Sequence, residues 1–153
     1  MDITIEKAKQ QEISTIIELL KALYLELGEE AESIIFLNEN LVKEIISSGR
    51  TEIYLAKGIN FKIIGIATLT ECQSIYTGGK YGLLDEMYVL PEFRSTDIGK
   101  KLVGKIIAHA KQNGWKRIDV TTPTEKRWER TVKFYQSCGF TFTGQKLKLS
   151  IKE

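Results

Sequence analysis

Two short stretches of this 153-residue chain place chemistry-bearing side chains close together. The first is Arg94-Ser95-Thr96-Asp97-Ile98-Gly99-Lys100-Lys101. It follows an apolar run, Leu83 to Leu90, and a proline, Pro91. The order predicts a strand, a proline stop, a polar loop and a helix opening at Ile98-Gly99. A helix start carries N–H groups without intrahelical acceptors and the positive end of the helix dipole. Such a site suits a phosphate, and Arg94, Lys100 and Lys101 add positive charge around it. The second stretch is the adjacent pair Asp85-Glu86 inside the strand run. A carboxylate there is either a candidate general base or a partner in a structural salt bridge. Successive strand residues point to opposite faces, so only one of the two is expected to line a given cleft.

The rest of the chain reads as the elements that hold these stretches in place. Asp2 to Glu6 alternates polar and apolar, as a half-buried strand does. Between Glu12 and Leu27 the apolar residues Ile13, Ile16, Ile17, Leu20, Leu23, Tyr24 and Leu27 recur at helical spacing. Gly28 ends that helix, and Glu26, Glu29, Glu30 and Glu32 make an acidic turn, either a solvated turn or a lip for a cation. Leu37, Leu41, Val42, Ile45 and Ile46 mark a second helix. Thr51 to Lys57 and Asn60 to Glu71 form a predicted hairpin around Gly58-Ile59-Asn60. Tyr81 opens the central strand. The helix after it carries Ile98, Leu102, Val103, Ile106, Ile107 and Ala110 on one side and stops at Asn113-Gly114. Lys116 to Thr121 is the next strand, parallel to the central one if the helix is a crossover. Thr122-Pro123-Thr124-Glu125 has capping-box spacing before a last helix ending at Gly139. Two closing strands are predicted at Phe140–Thr143 and Leu147–Ile151.

Length and a charged content of 27% suit one globular domain spanning residues 1–153. The net charge of +2 argues neither for nor against a polyanionic partner. Residues 1–83 carry 8 Lys and Arg against 12 Asp and Glu, a balance of −4, and the remainder carries +6. Two cysteines are too few for a disulfide framework. No signal peptide or membrane-spanning run is read, so a cytoplasmic setting is expected and a membrane partner is not. The modest basic patch comes with no nucleic-acid motif, so no nucleic-acid partner is expected either. No spacing fits a metal site. The lone His109 lies on the lysine-rich helix and is not expected to be catalytic, and Cys138 has no base or metal partner spaced for it.

Val89, Arg94 and Gly99 resemble motif A of the GCN5-related N-acetyltransferases, the GNAT family, a strand ending in Val-x-x-x-x-Arg/Gln-x-x-Gly-x-Gly/Ala. Phe134-Tyr135-Gln136-Ser137-Cys138-Gly139-Phe140 resembles the family's motif B. The element order β-α-α-β-β-β-α-β-α-β-β is also that of the family. Asp97 departs from the pattern, which has glycine there. It is expected to serve as a helix cap, the alternative being a carboxylate that weakens phosphate binding.

The resemblance implies an α/β fold of GNAT type. Its sheet is mixed and mostly antiparallel, with a central parallel strand pair and helices on both faces. It implies acetyl-CoA as co-substrate and a primary amine acceptor, expected to be a small molecule. Met87, Tyr88 and Val89 would then meet the pantetheine arm through their backbone, and Ser95, Thr96, Asp97, Ile98, Gly99 and Lys100 would cradle the diphosphate beside Arg94. Leu84-Asp85-Glu86-Met87-Tyr88-Val89 is similar to a stretch of diamine acetyltransferases, which makes Glu86 or Asp85 the expected base or amine orienter. Tyr135 matches the motif B tyrosine that acts as general acid toward the CoA sulfur. Many members of the family pair through edge strands or the C-terminal hairpin, so the resemblance allows a homodimer. The competing expectation is a GNAT-fold CoA-binding or regulatory module without turnover.

Overall fold

The computed structural model describes residues 2–151. They form two compact units, one running to Val120 and one beginning at Thr121.

The first unit is built on one sheet. Its strands are β1 (Thr4–Lys7), β2 (Thr51–Lys57), β3 (Ile63–Ser74), β4 (Gly79–Val89) and β5 (Ile118–Val120), in the spatial order β1-β2-β3-β4-β5. The first three pairings are antiparallel, and β4 with β5 is parallel. Helices α1 (Ile13–Glu26) and α2 (Glu39–Ser47) connect β1 to β2, and α3 (Ile98–Gln112) is the crossover from β4 to β5. This is the mixed sheet with one parallel pair that the sequence predicts.

Alternation along the strands assigns the helices to opposite faces. Ile53, Leu55, Ile66 and Tyr88 share a core with Ile13, Ile16, Leu19 and Leu20 of α1 and Val42 of α2. The intervening residues face α3. Its buried stripe is Ile98, Leu102, Val103, Ile106 and Ala110. A Cβ on Gly65 would lie 3.4 Å from Ile98 Cγ2 and 3.3 Å from the Tyr88 carbonyl oxygen. The missing side chain therefore lets the first turn of α3 settle on β3. On the same face the Tyr54 hydroxyl lies 3.0 Å from His109 Nδ1, and the His109 ring meets Trp115 edge-on at 5.1 Å. His109 thus has a packing role. Lys57, 6% exposed, is held by Glu12 at 2.7 Å and Glu6 at 3.7 Å.

The strand expected from Asn60 begins later, at Ile63, because Ile59–Phe61 make a single 3-10 turn with Asn60 and Phe61 at φ 56° and 59°.

The second unit departs further from the sequence reading. The capping box at Thr122–Glu125 does not form. Glu125 is extended and pairs with Arg127 at 3.4 Å, and α4 (Glu129–Ser137) opens behind Trp128 without a side-chain cap. The two closing strands are also absent: among the described residues none from Phe140 to Ile151 enters a ladder. Alternation supplies a strand with a face but not with a partner, and an unpaired strand is not stable. Tyr135 is buried, and within this unit the rings of Phe134 and Phe140 lie 5.3 and 5.5 Å from its own. Among the described residues no helix is long and apolar enough to cross a membrane.

Candidate functional site

A bulge in β4 organises the site. Strand β3 pairs Thr68 with Glu86 and Leu69 with Leu84, so Asp85 is an extra residue in the register. An inserted residue shifts the side-chain alternation by one. The Thr68 hydroxyl donates to Glu86 Oε1, and the Thr70 hydroxyl donates to Asp85 Oδ2. Thr68 and Thr70 are two apart on β3 and share a face. Asp85 and Glu86 therefore both project onto the α1 side. This corrects the expectation, drawn from a regular strand, that only one of them lines a given cleft.

The two carboxylates differ in environment. Asp85 is exposed, whereas Glu86 is half-buried under α1. Burial pushes the Glu86 carboxyl above the usual carboxylate range, and the neighbouring Asp85 charge pushes the same way. Hydrogen bonds from Thr68 and Tyr24 pull it partly back. The Tyr24 hydroxyl donates to Glu86 Oε2 over 3.3 Å. Burial and the Glu86 charge raise the Tyr24 phenol, so it remains a proton-bearing donor.

Tyr24 comes from the last turn of α1, and the same turn supplies Glu26. Gly28, at φ 97°, closes that turn. Its N–H donates to the Leu25 carbonyl over 3.1 Å, and the Glu29 N–H donates to the Tyr24 carbonyl over 3.0 Å. A residue with a Cβ would be strained at this left-handed position. Glu26, though exposed, is bonded to a cation of the protein itself. It accepts from Arg94 Nη1 at 2.7 Å and Nη2 at 2.8 Å. Arg94 Nε also donates to the Val89 carbonyl at 2.8 Å, and the guanidinium lies 5.1 Å from the Tyr88 ring centroid. The arginine thus folds back along β4, joining the loop to the end of α1.

The loop itself runs from Arg94 into α3. Thr96 Oγ1 donates to the Phe93 carbonyl over 2.6 Å. The left-handed residue is Ser95, at φ 63°, whereas Asp97 sits at φ −78°. Asp97 therefore does not replace a conformationally required glycine. Its carbonyl accepts the Lys101 N–H at 2.9 Å, but its side chain makes no capping bond. The expected side-chain cap is thus not formed, because Asp97 has near-helical dihedrals rather than the extended ones from which a cap reaches back. Ile98 is buried under the sheet, Gly99 is half-buried and Lys100 is exposed.

Beside this loop β4 has an open edge. Strand β5 pairs only with Gly82, Leu83 and Leu84. From Glu86 through Met87 and Tyr88 to Val89, β4 is paired with β3 and, among the described residues, with no strand on its other side. An unpaired edge presents backbone donors and acceptors that an extended ligand can use.

The structure thus groups Asp85, Glu86, Met87, Tyr88, Val89 and the loop from Arg94 to Lys100 within the first unit, and Tyr135 belongs to the second. Sequence reasoning missed Tyr24, Glu26, Thr68 and Thr70. Tyr24 was hidden in an apolar helical stripe. The Thr68-x-Thr70 spacing opposite two carboxylates was the available signal, readable only once the register was known. Among the described residues no three or more His, Cys, Asp or Glu side chains are grouped so as to hold a metal ion.

Comparisons with known proteins agree with this architecture. No curated protein matches the sequence. Among solved structures, a transcriptional regulator from Bacillus halodurans is 22% identical, with 98% of this chain and 100% of that one covered, at a TM-score of 0.82. An acetyltransferase from Clostridium acetobutylicum, described as predicted and solved with acetyl-CoA, is also 22% identical, covering 97% and 96% at a TM-score of 0.81. An aminoglycoside acetyltransferase from an uncultured soil sample, in complex with sisomicin, is 16% identical, covering 99% and 96% at a TM-score of 0.78. These likenesses establish the fold. The family model described as the acetyltransferase (GNAT) family matches residues 13–140, most of the chain, and with both motifs and the sheet order already in view the protein belongs to that family.

Proposed function

We propose that this protein transfers an acetyl group from acetyl-CoA to a primary amine of a small molecule by direct attack. The observation that carries the reading is the open edge of β4, with the Glu86 carboxylate at one end and the Arg94–Lys100 loop at the other. An extended pantetheine arm fits an unpaired strand edge, and a diphosphate fits the N–H groups at the start of α3. Bound acetyl-CoA supplies an activated acyl thioester.

The chain's own residues supply the rest. An alkylamine of pKa about 10.4 costs about 4.6 kcal/mol to neutralise at pH 7. Glu86, raised toward neutrality, accepts the proton directly or through water. Asp85, on the same face, attracts the ammonium form of the acceptor. The amine nitrogen then attacks the thioester carbonyl, the C–N bond forms and the C–S bond breaks. The departing thiolate takes a proton, a role the motif B match assigns to Tyr135, and the nitrogen sheds its second proton to water, which restores the balance. Burial raises the Tyr135 phenol, so it stays protonated at neutral pH. Two carboxylates on one face favour a compact cation over an uncharged acceptor.

Thermal melting with acetyl-CoA and CoA-release assays against an amine panel test the reading. A rise in Tm with donor and turnover on at least one amine is expected. A rise without turnover would favour a CoA-binding regulatory module, and no rise at millimolar donor would remove both readings.

A further inference from the structure

We propose that Tyr24 is a positioning residue for Glu86, holding its carboxylate ionised and aimed at the acceptor side of the β4 bulge. This inference rests on the base role just assigned to Glu86. Neither motif of the family contains Tyr24, which lies 62 residues away on α1.

Both carboxylate oxygens of Glu86 are held by hydroxyl donors. Thr68 Oγ1 already accepts the Glu86 N–H at 3.0 Å, so its own proton is directed to Glu86 Oε1. Oxygen Oε2 receives the Tyr24 hydroxyl at 3.3 Å. Each carboxylate oxygen thus has one donor, and each retains a lone pair for an incoming ammonium or water. Two donors favour the charged form, whereas burial and the adjacent Asp85 oppose it. Removing one donor should therefore let the opposing terms raise the carboxyl further.

The position of the tyrosine is itself over-determined. Its carbonyl closes the α1 terminus through Glu29 N–H, and its ring meets Phe36 at a centroid distance of 6.5 Å. Two residues on, Glu26 ties the same helical turn to Arg94. The turn is fixed at both points, so the hydroxyl is presented rather than freely rotating into place. The titratable groups that act on Glu86 include Tyr24 from α1 and Asp85 from β4, and β3 contributes the hydroxyl of Thr68.

The deciding experiment is a carboxyl titration of Glu86 by carbon-13 NMR in the ligand-free protein, comparing wild type with Tyr24→Phe and Thr68→Val. Tyr24→Phe keeps the ring against Phe36 and deletes only the donor. Its Glu86 midpoint should rise by about 0.5 to 1 pH unit, the size expected for a long bond to a charged acceptor. Thr68→Val should raise it further, since the Thr68 hydroxyl lowers the carboxyl more than the Tyr24 hydroxyl does. In turnover, the acidic limb of the kcat/KM profile should move up by the same amount, while the KM for acetyl-CoA stays within twofold. A midpoint that is unmoved or lowered in Tyr24→Phe overturns the proposal, whatever the melting temperature does, and leaves Tyr24 as a packing residue. The titration needs no acceptor, so it decides the Tyr24–Glu86 relation even if no amine is acetylated.

Discussion

Arg94 and Glu26 are joined by two parallel hydrogen bonds, 2.7 and 2.8 Å long, across 68 residues of sequence. The pair connects the loop that opens α3 to the last turn of α1, the turn that also carries Tyr24. A fork-to-carboxylate bond constrains direction as well as distance. Because both side chains are more than a third exposed, its stabilising contribution is discounted for solvent to about 0.5 kcal/mol. Its consequence is positional. Glu26→Ala is expected to lower Tm only slightly and to weaken acetyl-CoA binding a few-fold by loosening Arg94. Calorimetric titration of both proteins checks this, and tighter binding in the variant would instead mean that Glu26 competes with the diphosphate for Arg94.

Glu86 sets activity against stability. Its folded pKa is raised, so the ionised form is less favourable in the fold than in the unfolded chain. Wild-type stability should therefore fall as pH climbs from the ordinary carboxylate value, about 4.3, to the raised one, and stay reduced above it. Glu86→Gln carries no charge to desolvate. It should melt higher than wild type at neutral pH, converge with it in acid, and lose kcat by on the order of 10²-fold. Melting curves across pH and initial rates test the two arms separately. A variant that melts lower throughout would show that the carboxylate's hydrogen bonds outweigh its burial.

Asp97 places a negative charge one residue before α3 without using it as a cap. A carboxylate there interacts favourably with the helix dipole, worth about 0.3–1 kcal/mol at an exposed site. The same charge repels a diphosphate bound at those N–H groups. Asp97→Asn should accordingly cost a little stability and tighten CoA binding several-fold. Unchanged affinity would place the diphosphate beyond the reach of this carboxylate.

Tyr135→Phe retains the ring contacts with Phe134 and Phe140 and removes the phenolic proton. Fold and donor affinity should be preserved while kcat drops by on the order of 10²-fold. Single-turnover rates on an amine found by screening provide the measurement. An undiminished chemical step would make Tyr135 a core residue and assign the proton to water or another group.

What the amino-acid sequence determined by itself was the part of this protein encoded by periodicity and local punctuation. The stripe of α1, the crossover helix from Ile98, the strand at Thr51–Lys57 and the stop at Pro91 all follow from spacings within a few residues. Motif A and motif B were legible for the same reason: each is a short run whose backbone geometry is local. Tertiary structure decided whatever depended on register and partners. The bulge at Asp85 is a property of two strands together, and it alone brings Asp85 and Glu86 to one face. Tyr24 and Glu26 read as an apolar-stripe residue and a solvated acid until the packing of α1 on β4 gave each a bonded partner. The tail from Phe140 shows the converse: its alternation is that of strands, yet it joins no ladder, because strand formation requires backbone groups supplied by another segment.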